Sequence, residues 1–197
     1  MKGYLDILKW GKDDKDLLNE AIENLNLEVK NIERIINTLF LNSNLEKITV
    51  KKEIANVKQL FEKIKKDYEL LNIKNEIIIK VDNEINIFVD KNLISEVLRG
   101  LIDNCIKYSV GNIELLAREG EIVEIIVRNY GEGIPEEEKK NLFNRNFQGK
   151  NAKKGSGLGL PIIKDIILLN DGKIYIENRK DGIDVKIQFK KIDYKNE

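Results

Sequence analysis

Lys154-Gly155-Ser156-Gly157-Leu158-Gly159-Leu160-Pro161-Ile162-Ile163-Lys164 sets three glycines at alternate positions directly ahead of an apolar run with helical spacing. The pattern predicts a helix over 159–170. Its first turn would offer free backbone N–H groups and the positive end of the helix dipole to an approach clear of side chains. A phosphate chain suits such a site. Lys150, Lys153 and Lys154 add positive charge on the loop before it. A glycine-alternating turn on its own describes a flexible loop and a tight helix–sheet contact equally well. The choice rests on two elements upstream.

The apolar run Ile122-Val123-Glu124-Ile125-Ile126-Val127 leads into Arg128-Asn129-Tyr130-Gly131-Glu132-Gly133-Ile134-Pro135. This predicts a strand over 121–128 that feeds a tight Gly-x-Gly turn, where backbone can approach a flat ligand closely. The second element is the stretch from Ile94 to Tyr108. Its apolar positions 94, 97, 98, 101, 102, 105 and 106 follow the period of a helix buried on one face. Asn104 and Lys107, three apart, occupy neighbouring places on one stripe, and Gly100 one turn earlier contributes no side chain. An amide and an ammonium projecting together from a core helix are awkward for packing. They are natural for holding a metal-bound phosphate.

Asn104 with Lys107-Tyr108, Gly131-x-Gly133, Leu142-Phe143 with Phe147, and Gly155-Ser156-Gly157-Leu158-Gly159-Leu160 together resemble the N, G1, F and G2 boxes of bacterial sensor histidine kinases. They stand in the family's order and at its usual spacing. The resemblance implies an α+β fold, the two-layer Bergerat ATP-binding sandwich, with a mixed sheet covered by helices on one face. ATP·Mg²⁺ would lie between the helices and a flexible lid. It also implies roles. Asn104 would coordinate Mg²⁺ through its amide oxygen, since magnesium takes few protein oxygens and keeps most of its waters. Lys107 would neutralise phosphate charge and Tyr108 would line the adenine or ribose side; a solvated lysine and a core tyrosine are the alternatives. Gly131, Gly133 and Ile134 would pass close to the base. Phe143 and Phe147 would anchor the lid, with Arg145 reaching phosphate. Gly155, Ser156, Gly157, Leu158 and Gly159 would contribute the phosphate-binding loop, its glycines offering backbone N–H groups. Asp103 would face elsewhere.

Two positions depart from the family. The lid motif is off the commonest spacing by one residue, which bears on Arg145. Position 129, where the family commonly has an aspartate that accepts from the adenine amino group, is Asn129. Its amide oxygen still accepts, without charge assistance, and its NH₂ can equally donate to a guanine-type carbonyl. ATP is the expected nucleotide.

Histidine is absent from all 197 residues. The chain therefore has no phosphoacceptor imidazole, no catalytic residue of its own for the transfer, no His-based triad and no His/Cys metal site. Upstream of the sandwich, Leu18, Ile22, Leu25, Val29, Ile32, Ile36 and Leu39 alternate in steps of four and three, an a/d seam with Asp13 or Asp14 to cap its start. Tyr4 to Trp10 is a short amphipathic piece ending at Gly11. The resemblance makes residues 1–46 part of the dimerisation and phosphotransfer hairpin from just beyond the acceptor histidine, and 47–197 the catalytic domain. It implies a homodimer through the N-terminal helices and a response regulator as partner. The second reading is a kinase-inactive nucleotide-binding dimerisation module with regulatory function. Gly100 counts against a gyrase-like ATPase, because a base for activating water is expected one turn before Asn104.

Lys+Arg and Asp+Glu both number 34, so the chain carries no net charge to draw it to nucleic acid or a membrane surface. One cysteine, Cys105, permits no internal disulfide and fits a reducing compartment. No apolar run of ~18 residues is present, so the chain itself is expected to make no membrane contact. A cytoplasmic domain is expected, with any membrane anchor of the parent outside this chain. The remaining pattern predicts strands at 48–50, 77–81, 85–90, 173–178 and 183–189, and helices over 53–71 and 136–146. A turn at Lys180-Asp181-Gly182 joins the last two strands.

Overall fold

The structure is a computed structural model that describes residues 17–19, 21, 22, 25, 49–71, 73–81, 83–145, 147, 149 and 159–193. The chain divides into two compact units, Met1–Ile48 and Thr49–Glu197. In the first, the described residues 17–19, 21, 22 and 25 are helical, which covers Leu18, Ile22 and Leu25 of the seam. The rest of the seam, its capping aspartates and the Tyr4–Trp10 piece lie outside the described residues.

The second unit runs β1 (Glu53–Asn56), α1 (Val57–Glu69), β2 (Ile77–Val81), β3 (Asn86–Val89), α2 (Lys91–Tyr108), β4 (Ile113–Glu119), β5 (Ile122–Tyr130), α3 (Glu136–Lys139), α4 (Gly159–Leu169), β6 (Lys173–Arg179) and β7 (Gly182–Lys190). Five strands form one sheet in the order β2-β4-β5-β7-β6. Only β2 and β4 are parallel; the other pairs are antiparallel, so the sheet is mixed. Helix α1 lies against β2, α2 against β4 and β5, and α4 against β6.

Strand alternation explains the layering. Val123, Ile125, Val127 and Asn129 point one way from β5, opposite Phe189, Ile187, Val185 and Ile183 of β7. The three valine and isoleucine side chains of that β5 row are fully buried. Glu124, Arg128 and Tyr130 point the other way, into a charged and hydrogen-bonded face. There Arg128 donates to both carboxylate oxygens of Asp184 (2.8 and 2.9 Å) and Tyr130 donates to Glu114 (2.9 Å). Burial raises the Asp184 carboxyl, but the Arg128 bonds outweigh it and hold the group below the usual carboxylate range.

Helix α2 shows why its core stripe is sufficient. Asp90 caps its start by accepting from the Asn92 and Leu93 N–H groups at 3.0 and 3.2 Å. Ile94, Val97, Leu98, Leu101 and Ile102 are at most 1 % exposed. At about 2 kcal/mol per fully buried aliphatic side chain, this stripe seats the helix without help from its polar residues. Cys105 completes the stripe, and burial pushes its thiol up to about 12, so it is an inert, buried group. Asp103 leaves the stripe to accept from the Tyr68 hydroxyl of α1 at 2.7 Å. At Gly100 a Cβ would stand 3.1 Å from Ile163 Cδ1, so the missing side chain lets α4 cross α2 closely.

Three expectations about elements are corrected. The first strand lies at Glu53–Asn56 rather than 48–50, and with Asn86–Val89 it forms a separate two-stranded antiparallel sheet. The next helix accordingly starts at Val57. Asn56 ends the strand and caps the helix, accepting from the Gln59 N–H at 3.0 Å; Ile54 matched the helical period by coincidence. Strand β4 had no counterpart among the expected elements. Finally, α3 stops at Lys139, and residues 140–145 continue as turns. Asn144 there donates to the Asn141 side chain at 2.9 Å, local bonding that competes with a helix lacking any apolar face.

Candidate functional site

Part of the expected set, Tyr108 with Gly131 and Asn129 beside it, lies where the end of α2 meets the end of β5. Ser109, the residue after α2, joins them. Its Oγ accepts from the N–H groups of Tyr130 (3.2 Å) and Gly111 (3.3 Å), and its proton is shared between the carbonyls of Tyr130 (3.0 Å) and Gly111 (3.1 Å). The Val110 N–H donates to the Tyr130 carbonyl at 2.8 Å. Asn104, Lys107 and Tyr108 on the last turns of α2 thus come to the same edge of the sheet as Asn129 and Gly131.

Asn104 is half-buried, and among the described residues nothing hydrogen-bonds to its amide. Lys107 is half-buried and Tyr108 exposed. Asn129 is 6 % exposed on the helix-facing side of β5, and its Oδ1 accepts from the Ile183 N–H at 3.3 Å.

The turn after β5 is built for close approach. Gly131 has φ +149°, and a Cβ there would stand 3.2 Å from the Tyr108 carbonyl oxygen. Its N–H donates to the Asp181 carbonyl at 3.0 Å, tying the turn to the β6–β7 hairpin. One residue beyond Gly133, Ile134 is gripped on both backbone groups by the Asn178 side chain. The Ile134 N–H donates to Asn178 Oδ1 (2.9 Å), and Asn178 Nδ2 donates to the Ile134 carbonyl (2.7 Å). A Cβ on Gly133 would meet Asn178 Oδ1 at 3.2 Å, so the clamp also explains that glycine.

Ser109 and Asn178 went unremarked in the sequence. A serine just past a helix end is a weak signal for the first. For Asn178 there was none, because its partner is 44 residues away in sequence.

Gly159 begins α4, and its Cβ position is open. Arg145 points to α4, where it pairs with Asp165 at 3.5 Å, and the Phe143 ring carries Lys164 Nζ 5.7 Å from its centroid. The turn residues expected to form the lid therefore rest on α4. Gly155, Ser156, Gly157 and Leu158, with Lys150, Lys153 and Lys154, lie outside the described residues. Among the described residues no group of His, Cys, Asp and Glu could by itself hold a metal ion. An Mg²⁺ site would instead rest on one protein oxygen, that of the Asn104 amide, which has no partner among the described residues, with phosphate oxygens and water; a site of that kind suits magnesium.

Residues 89–193 match the family described as histidine kinase-, DNA gyrase B-, and HSP90-like ATPase. The chain is similar to sensor histidine kinase YkoH of Bacillus subtilis, 31 % identical over a match of 182 positions that covers 84 % of this chain and 38 % of that protein. Among solved structures, the nucleotide-free catalytic domain of histidine kinase ThkA covers 72 % of this chain and is itself 96 % covered, at 28 % identity and a TM-score of 0.63. ThkA in complex with the response regulator TrrA covers 97 % of this chain, which spans 56 % of that one, at 25 % identity and a TM-score of 0.67. The chain spans less than half the length of the curated relatives it matches. No helix of the described residues is long and apolar enough to cross a membrane. With just over half its length matched, and a mixed sheet covered by helices on one face, the chain belongs to the histidine kinase-, DNA gyrase B-, and HSP90-like ATPase family.

Proposed function

We propose that this chain is the ATP-binding catalytic portion of a two-component sensor histidine kinase, passing the γ-phosphoryl group of ATP to a histidine outside it. The observation that carries the proposal is Asn104: a half-buried amide with no partner among the described residues, on a helix whose apolar stripe does not need it. In this reading Asn104 would hold Mg²⁺, which when bound would neutralise phosphate charge. Lys107 adds a second positive charge, and Tyr108 lines the nucleoside. Asn129, Gly131, Gly133 and Ile134 face the base. Residues 155–158 and the start of α4 at Gly159 receive the phosphates, and Arg145, paired with Asp165 in the structure, would have to leave it to reach them. Transfer then rests on positioning and charge stabilisation, with no covalent intermediate on this chain.

Residues 1–46 belong in this reading to a hairpin that pairs two copies, and the partner downstream is a response regulator, as in the ThkA–TrrA complex. The absent histidine also fits a kinase-inactive, nucleotide-binding regulatory module. Incubation with γ-labelled ATP and Mg²⁺ tests the two. The chain alone should acquire no acid-labile phosphate, and adding a separate hairpin that carries the parent protein's acceptor histidine should produce labelled hairpin. Strong labelling of the isolated chain would mean serine, threonine or aspartate chemistry. No transfer to the hairpin, with ATP bound, would favour the regulatory module.

The Asn178 clamp should matter to nucleotide more than to the fold. Its two hydrogen bonds are exposed, and each is worth about 1 kcal/mol at most. Asn178→Ala should therefore lower the nucleotide-free melting temperature by no more than a few degrees. Freeing the Gly131–Ile134 turn should weaken MgADP binding by about threefold to tenfold. Unchanged affinity in a calorimetric titration would show that the turn keeps its shape without the clamp.

A further inference from the structure

The orientation of the Asn129 amide has a consequence for which base is read. A backbone N–H can only donate, so the Asn129 atom 3.3 Å from the Ile183 nitrogen is its oxygen, and the amide cannot be flipped without placing donor against donor. Nδ2 is then turned away from β7. The residue is 6 % exposed, and among the described residues no group accepts from Nδ2. A buried donor without an acceptor is costly, and a ligand that brings an acceptor relieves that cost.

We infer that Asn129 makes this site accept 6-oxopurine nucleotides on a par with adenine nucleotides. The inference rests on the proposed nucleotide site, in which Asn129 faces the base. Adenine carries an amino group at its 6-position and would set two donors against each other at Nδ2. Hypoxanthine and guanine carry a carbonyl oxygen there and supply the acceptor. Adenine is not excluded, because Oδ1 retains a second lone pair beside the one used by Ile183 and accepts from the 6-amino group through it. An aspartate at 129 would keep the Ile183 bond but present only acceptors, which selects adenine and rejects the 6-oxo group.

Inosine diphosphate is the probe, since it differs from ADP only at the 6-position and the neighbouring N1 proton. Titration of the chain with MgADP and MgIDP should give dissociation constants within fivefold of each other. Asn129→Asp should bind ADP more tightly and move the ratio toward ADP by tenfold or more. A wild-type preference for ADP above fivefold overturns the inference, as does an Asn129→Asp variant that binds nucleotide with an unchanged ratio. If Asn129→Asp does not fold, the wild-type ratio decides alone. If neither nucleotide binds or raises the melting temperature, the nucleotide site itself is wrong and the inference falls with it. ADP binding at a high ADP:IDP ratio would overturn only the reading of Asn129.

Discussion

Asn104→Ala should abolish the magnesium-dependent part of ATP binding while leaving the nucleotide-free protein as stable as before. A ligand at a hundred times its dissociation constant stabilises the native state by about 2.7 kcal/mol. For a unit of this size that corresponds to a rise in melting temperature of roughly 5–10 °C. Wild type should show such a rise with ATP and Mg²⁺ and a smaller one with ATP and a chelator. In the variant the two rises should coincide. The apo melting temperature should hardly move, because the amide has no partner among the described residues to be left unpaired and the Ile94–Cys105 stripe seats the helix. Were Asn104 a structural amide, truncation would strand its partners and cost about 1–3 kcal/mol. An early-melting variant that keeps the magnesium-dependent rise would therefore remove Asn104 from the site and the proposed metal with it.

What the sequence revealed follows from the physics of each element. Helix α2 and strand β5 were legible because a one-sided apolar stripe and a run of β-branched residues are local signals. Strand β4 was not. Its Leu115-Leu116-Ala117 are good helix formers without alternation, and the strand exists because Glu114 to Glu119 pair with Val123 to Arg128 of β5. Strand β1 was hidden because Ile54 fell in step with the helix after it, and only pairing with Phe88 across 34 residues places it. The candidate site divides the same way. Asn104 and Lys107 stood out as residue types awkward for packing on a core helix, the two glycines as a tight turn ending a β-rich run, and Asn129 only through the position it holds in the resemblance. The groups that hold the turn did not: Asn178 and Ser109 act on backbone atoms that only the folded sheet brings near.

Gly182→Ala should be the most damaging single substitution in the sheet that carries the site. Gly182 opens β7 opposite Tyr130, with φ +156°, a conformation an L side chain rarely adopts. A Cβ there would lie 2.0 Å from the Asn129 carbonyl oxygen and 2.9 Å from Tyr130 Cα. Both are backbone atoms, so no rotamer change relieves the clash. Strand β7 must move off β5, and the β5–β7 seam is bordered by β4 on one side and β6 on the other. We expect a loss of about 3 kcal/mol or more, read as a lower urea midpoint at unchanged slope and a melting temperature lower by ~10 °C. Gly120→Ala is the control. It sits in the β4–β5 hairpin with nothing within 4 Å of its Cβ position, and should change stability by no more than about 0.5 kcal/mol. The strain at 182 also reaches the proposed nucleotide site. Asn129 Oδ1 is fixed by the Ile183 N–H, and the Gly131 N–H is fixed by the Asp181 carbonyl, the two residues that flank Gly182. Well below its melting temperature, Gly182→Ala should therefore also weaken the binding of MgADP and MgIDP alike. Lost stability with unchanged affinity for both nucleotides would separate the hairpin from the proposed nucleotide site, leaving Gly182 a requirement of the fold alone.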